Sequence, residues 1–114
     1  MAAWHGGAAV GAGAIVDREV VREFWRPAGI PASTWRLGWD GPAEGGSQAG
    51  ERLSRAAVGH LGFTGCSLWI DPARARWIVL LTNRVHPVVS TDGRFRAFRP
   101  AFHDAAVAAL DAAG

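Results

Sequence analysis

From Gly59 to Pro87 the chain reads GHLGFTGCSLWIDPARARWIVLLTNRVHP, and no other stretch limits the fold so strongly. It breaks into three apolar runs separated by turn signals, the pattern of adjacent antiparallel strands in one sheet. Gly62 and Gly65 punctuate the first boundary and leave the backbone open to close approach. Asp71-Pro72 opens the turn between the second and third runs. The predicted strands are 56–63, 66–70 and 76–82. The third carries Trp77-Ile78-Val79-Leu80-Leu81 without polar alternation, as expected of a strand covered on both faces.

The flanking segments complete an α+β plan. Val16, Val20, Val21, Phe24 and Trp25 fall at helical spacing over 15–26, with Asp17 and Glu19 near the start and Pro27 as the stop. WRLGWD, 35–40, alternates large apolar residues well enough for a fourth strand. The glycine-rich 41–55 is a loop of a length that is usually functional or mobile. Pro100 suits the first position of a closing helix marked by Phe102, Ala105, Ala106, Ala109 and Leu110. The expected architecture is therefore a small antiparallel sheet of about four strands with an N-terminal and a C-terminal helix, spanning 15–114. Residues 1–14, rich in Gly and Ala, are expected to form a flexible arm without the G-x-G-x-x-G spacing of a phosphate-binding turn.

Counting residue types excludes several chemistries. All twelve Lys-plus-Arg residues are arginine, and tyrosine is absent. Formal net charge is only +2, with acids interspersed through most of the chain. Arg94, Arg96 and Arg99 interleave with Phe95 and Phe98, but the patch is short and lies in no nucleic-acid-binding motif, so no nucleic-acid partner is expected. Cys66 is the single cysteine, which excludes an internal disulfide. With glycine and strand beside it and no cationic neighbour in sequence, its thiol reads as inert packing. His60, Cys66, His86 and His103 are zinc-compatible types without paired ligand spacing, and no metal or other cofactor is implied. Ser67 lies inside a strand without a G-x-S-x-G elbow and reads as a small strand residue. No apolar run reaches membrane-spanning length and no signal peptide is evident, so the chain reads as soluble with its compartment open.

The string G-H-x-G-F-T-G-x-S-L-W-I-D-P, with the following L-T-N-R, resembles the last block of the serine β-lactamase and penicillin-binding-protein superfamily. The likeness is to the esterase-like branch, whose members carry His-x-Gly where others carry Lys-Thr-Gly. It extends over about 15–110, and implies the carboxy-terminal part of a β-lactamase-like domain. Carried over by position, it puts His60 at the cleft, Gly62 where bulk must be absent, and the Phe63 N–H in the oxyanion hole. Leu61 departs from the hydroxyl-bearing residue common at the middle position. Asn83-Arg84 matches a family signature without an assigned role.

The family's nucleophile lies in Ser-x-x-Lys, which a chain without lysine cannot contain. Arginine stays protonated and cannot replace that base. Ser-x-Asn is absent as well, since Ser33, Ser47, Ser54, Ser67 and Ser90 are followed two places on by Trp35, Ala49, Ala56, Trp69 and Asp92. The expectation is a fragment of a serine hydrolase acting by acyl transfer, inactive alone. It would meet a small-molecule substrate only when completed by an N-terminal part, and could self-associate through an uncovered sheet face. The alternative is a free-standing non-catalytic domain that binds a partner or ligand.

Overall fold

The computed structural model describes residues 9–10 and 13–114. The element order is β1 (Ala9–Val10), β2 (Gly13–Ala14), α1 (Arg18–Trp25), β3 (Val58–Leu61), β4 (Ser67–Asp71), a 3-10 turn (Pro72–Arg74), β5 (Arg76–Leu80) and α2 (Arg94–Ala113). The expected flexible arm lies largely outside the described residues; within its span β1 and β2 pair antiparallel, Ala9 with Ala14 and Val10 with Gly13.

The main sheet is antiparallel in the order β3-β4-β5, so the α+β expectation holds with three strands rather than four. The segment expected as the fourth folds back on itself. Trp35 and Asp40 bridge each other, the Arg36 N–H donates to the Trp39 carbonyl at 2.8 Å, and Gly38 takes φ 71°. A left-handed residue at Gly38 ends any extended run there, because only glycine adopts it without cost. What remains of the fourth strand is one rung: Asp40 exchanges both backbone hydrogen bonds with Gly59, at 2.8 and 2.9 Å.

One face of the sheet is the core side. In register across it stand Gly59, Trp69 and Ile78, then Leu61, Ser67 and Leu80. Gly59 is where the indole of Trp69 lies: a Cβ there would sit 2.3 Å from the ring. Trp69 and Ile78 pack with Val107 of α2 and with Ala49, Leu53 and Ala57 from the segment before β3. The glycine-rich 41–55 is thus a wall of the core as well as a loop. Asp104 on α2 accepts from the Glu51 and Arg52 N–H groups at 2.8 and 3.0 Å, and Gly50, at φ 81°, lies too close to Asp104 for any side chain.

The opposite face is bare along β5. Along β5, Ile78 and Leu80 are buried while Trp77 is 68 % exposed and Val79 is exposed. Covering on both faces, read from the unbroken apolar run, is incomplete: Val58, in register with Ile70 and Trp77 on that side, is fully buried, but β5 is not covered there, and α1 buries none of its own residues.

α2 starts at Arg94, well before Pro100, and Pro100 lies inside it. A proline there cannot donate to the carbonyl four residues back and usually breaks a helix. The orphaned carbonyl belongs to Arg96, and the Gln48 side-chain amide donates to it at 3.0 Å. That substitute partner is what sequence alone did not reveal. α1 behaves as expected at its end: Arg26, preceding Pro27, is pushed to an extended ψ of 136°.

Candidate functional site

β3 and the turn after it carry the three residues singled out from sequence. His60, in register with Leu68, is exposed on the bare side of the sheet, its ring 6.0 Å from that of Trp35. β3 ends at Leu61, and a tight turn follows. The Gly62 N–H donates to the Cys66 carbonyl at 2.7 Å, and the Gly62 carbonyl accepts from Gly65 at 3.0 Å. Gly65 takes φ 100°, and a Cβ there would meet Thr82 at 2.3 Å and the Phe95 ring at 2.7 Å, so the turn requires glycine at that place.

Phe63 protrudes from the turn, 71 % exposed. Its N–H meets no acceptor among the described residues. Its carbonyl accepts from Arg84 Nε at 2.8 Å, and the Arg84 guanidinium lies 5.2 Å from its ring centroid. Gly62 and Phe63 are therefore gathered on the Arg84 side, while His60 faces Trp35. No hydrogen bond or ring contact joins His60 to Phe63 among the described residues.

Arg84, which sequence left without a role, fastens this turn. Its backbone N–H donates to the Thr64 carbonyl at 2.9 Å, and its side chain reaches both the Phe63 and Ser90 carbonyls. Phe95 stands between Arg84 and Arg99, with guanidinium-to-centroid distances of 6.0 and 5.0 Å. Arg99 is buried on α2 and donates to the Gly62 carbonyl at 3.2 Å. Burial, then the charge of Arg84, pulls Arg99 below the usual arginine range. Gly62, Arg84, Phe95, Arg96, Arg99 and Ser90 share an open cleft of about 390 Å³. The arginine- and phenylalanine-rich run 94–99 thus forms the first turns of α2, with Arg99 and Phe95 turned into the fold. Its periodicity was readable, but Pro100 pointed to a later start.

Cys66 is half-buried beside the same turn. A hydrogen bond from Thr64 lowers its pKa, helped by the Thr82 backbone N–H at 3.4 Å and by Arg99, against the opposing effect of burial. Sequence neighbours supplied no cation near this thiol; the fold brings one from α2.

Ser67 and His103 form a pair that sequence reading did not connect. His103 Nδ1 faces the Gln48 carbonyl at 2.9 Å and must donate to it, leaving Nε2 as acceptor for the Ser67 hydroxyl at 2.9 Å. The order hydroxyl, imidazole, orienting acceptor is that of an activated nucleophile. Both side chains are buried, however, Ser67 under the sheet and His103 completely, so no substrate carbonyl can reach the hydroxyl. The pair ties β4 to α2 and to the loop at Gln48. Its signal was invisible in sequence because the partners lie 36 positions apart. His60, Cys66, His86 and His103 lie in different places, and among the described residues no three His, Cys, Asp or Glu side chains converge on a metal position.

Compared with known proteins, the chain matches no family model, no curated protein and no solved structure.

Proposed function

We propose that this chain forms one wall of a serine-hydrolase cleft of the β-lactamase-like type. In this reading its β3 edge supplies half of an oxyanion hole, and the nucleophile and base come from a polypeptide part that it lacks. The observation that carries the reading is the Phe63 N–H, unengaged on a protruding turn directly after Gly62. A backbone donor left without a partner is available for a developing alkoxide. The exposed His60 at the same strand end and the bare sheet face beside it support the same view.

Acyl transfer needs an activated nucleophile and an accessible carbonyl site. The chain has no lysine and no tyrosine, and the Ser67–His103 pair is sealed in the core. Alone, the protein is expected to hydrolyse nitrocefin and p-nitrophenyl esters no faster than buffer. Turnover abolished by a serine-reactive phosphonate, with the label mapped to a serine of this chain, overturns that reading. Reading the coding region immediately upstream supplies the complementary test, since a neighbouring frame with Ser-x-x-Lys is expected.

A second reading is favoured by one observation. The 41–55 segment and α2 close a core around Trp69 without any further chain, as a free-standing ligand- or partner-binding domain would need. A monodisperse monomer with high thermal stability and no binding of an apolar dye would favour it over the fragment.

A further inference from the structure

A second basic groove lies away from the β3 edge, under α1. It measures about 600 Å³ and is lined by Arg18 and Arg22 of α1 and Arg26 just past its end, together with Arg36 and Arg55. Trp25, Pro27 and Pro72 supply its apolar surface, and no acidic side chain lines it. Arg18 and Arg22 are four residues apart, so they stand on one side of the helix, about 6 Å apart along its axis. Like charges at that spacing repel one another.

The cations are poorly compensated. Arg26 pairs with Glu23 at 2.7 Å on the exposed side. Arg36 donates to the Trp25 carbonyl at 2.5 Å and Arg55 to the Ala43 carbonyl at 3.3 Å, neither of which is a charge. Arg18 and Arg22 make no ion pair among the described residues. The buried Nε of Arg36 has no acceptor, and burial lowers the pKa of this guanidinium with Asp40 only partly opposing. The chain as a whole sets ten acids against twelve arginines; here five guanidinium groups surround one space without a carboxylate on its walls.

We infer that this groove binds a small molecule bearing two or more phosphate groups. Guanidinium forks match phosphate oxygens bidentately, and several of them exceed what a single carboxylate can engage. The volume falls in the range of small-molecule sites, and Trp25 with the two prolines offers a flat apolar surface for an organic moiety such as a nucleoside. The site is independent of the acyl-transfer reading, because it shares no lining residue with the Phe63 turn or the cleft of Arg99.

The direct test is isothermal titration of the full chain with pyrophosphate and with ADP at low and at physiological salt. Saturable binding is expected for both, weaker at the higher salt, with ADP the tighter and accompanied by a change in tryptophan fluorescence. Arg18→Ala and Arg22→Ala, both exposed positions, should each weaken binding about tenfold, the loss of one charge-assisted contact, with an unchanged circular dichroism spectrum. Absence of saturable pyrophosphate binding overturns the proposal. So does binding abolished by Arg96→Ala and untouched by Arg22→Ala, which would place the anion at the other cleft. Equal affinity for pyrophosphate and ADP would remove Trp25 and the prolines from the site and overturn the assignment of an organic ligand.

Discussion

His103 has both ring nitrogens engaged, one donating to the Gln48 carbonyl and one accepting from Ser67, and lies fully buried between Trp69 and Phe102. Burial is the main reason its pKa falls below the ordinary value of about 6.5, with Arg99 adding to the effect, while the Gln48 carbonyl and Asp104 oppose it. The unfolded chain therefore binds a proton that the folded chain refuses. Stability from this group is complete above about pH 6.5 and is lost as the pH falls from there toward the lower folded value. Urea unfolding across pH 7.5 to 5 should show that decline, and His103→Gln should flatten it while lowering stability throughout. An unchanged pH profile in His103→Gln would remove His103 as its source. No sequence pattern announced this residue, since a histidine in an alanine-rich helix looks the same whether it is buried or wet.

At the level of elements, the strands of the Gly59–Pro87 stretch were legible because alternation and turn residues act locally: β3 and β5 lie within the predicted spans, and β4 runs one residue past its span, to Asp71. Two elements were not legible, for one reason. Their form depends on partners far along the chain. WRLGWD has the composition of a strand, yet Gly38 folds it into a turn that offers Asp40 alone to β3. α2 runs through Pro100 because Gln48, 48 positions before Arg96, takes over the carbonyl that the proline abandons. Gln48→Ala should therefore cost about 1 kcal/mol in the native chain, the usual contribution of such a bond. In a Pro100→Ala background, where the helix supplies its own N–H, the cost should nearly vanish. A double-mutant cycle by thermal or urea unfolding reads this coupling; equal costs in both backgrounds would show that Gln48 acts elsewhere. The candidate site was partly legible in the same sense. His60, Gly62 and Phe63 could be placed on a strand and its turn, but Arg84 and Arg99, which hold that turn, come from a connection and a helix that no local pattern linked to it.

For the whole molecule, the unequal faces of the sheet are the dominant fact. Each large side chain left in water forgoes about 1.5–3 kcal/mol of burial, against a total stability of about 5–15 kcal/mol for a small domain. Trp77, Val79 and Leu81 all lie exposed. β5 pairs with β4 alone, which leaves its outer backbone edge open among the described residues. An apolar patch beside an open edge is a surface for association. Sedimentation at micromolar concentration should show reversible self-association with dye binding, and Trp77→Asp should shift it at least about tenfold toward monomer. Monomeric behaviour of the native chain, or association unaffected by Trp77→Asp, would exclude this face. Because α1 buries nothing of its own, it cannot take over that role without moving.

The contacts of α2 have a temporal meaning as well. His103 meets the Gln48 carbonyl across 55 positions and Asp104 holds Glu51 across 53. The segment before β3 thus acquires these two anchors only after α2 has been synthesised, although Ser54 can already donate to Asp71 of β4, and the stretch from Gln48 to His103 waits as a loop to be closed. Hairpins β3-β4 and β4-β5 can form early from neighbouring residues. Yet their core side, with Trp69 at its centre, has only Ala49, Leu53 and Ala57 to lie against until Val107 arrives with the helix. During translation the protein is therefore expected to pass through an interval in which the core face of the sheet lacks its helix, when a chaperone or a partner chain meets it most readily.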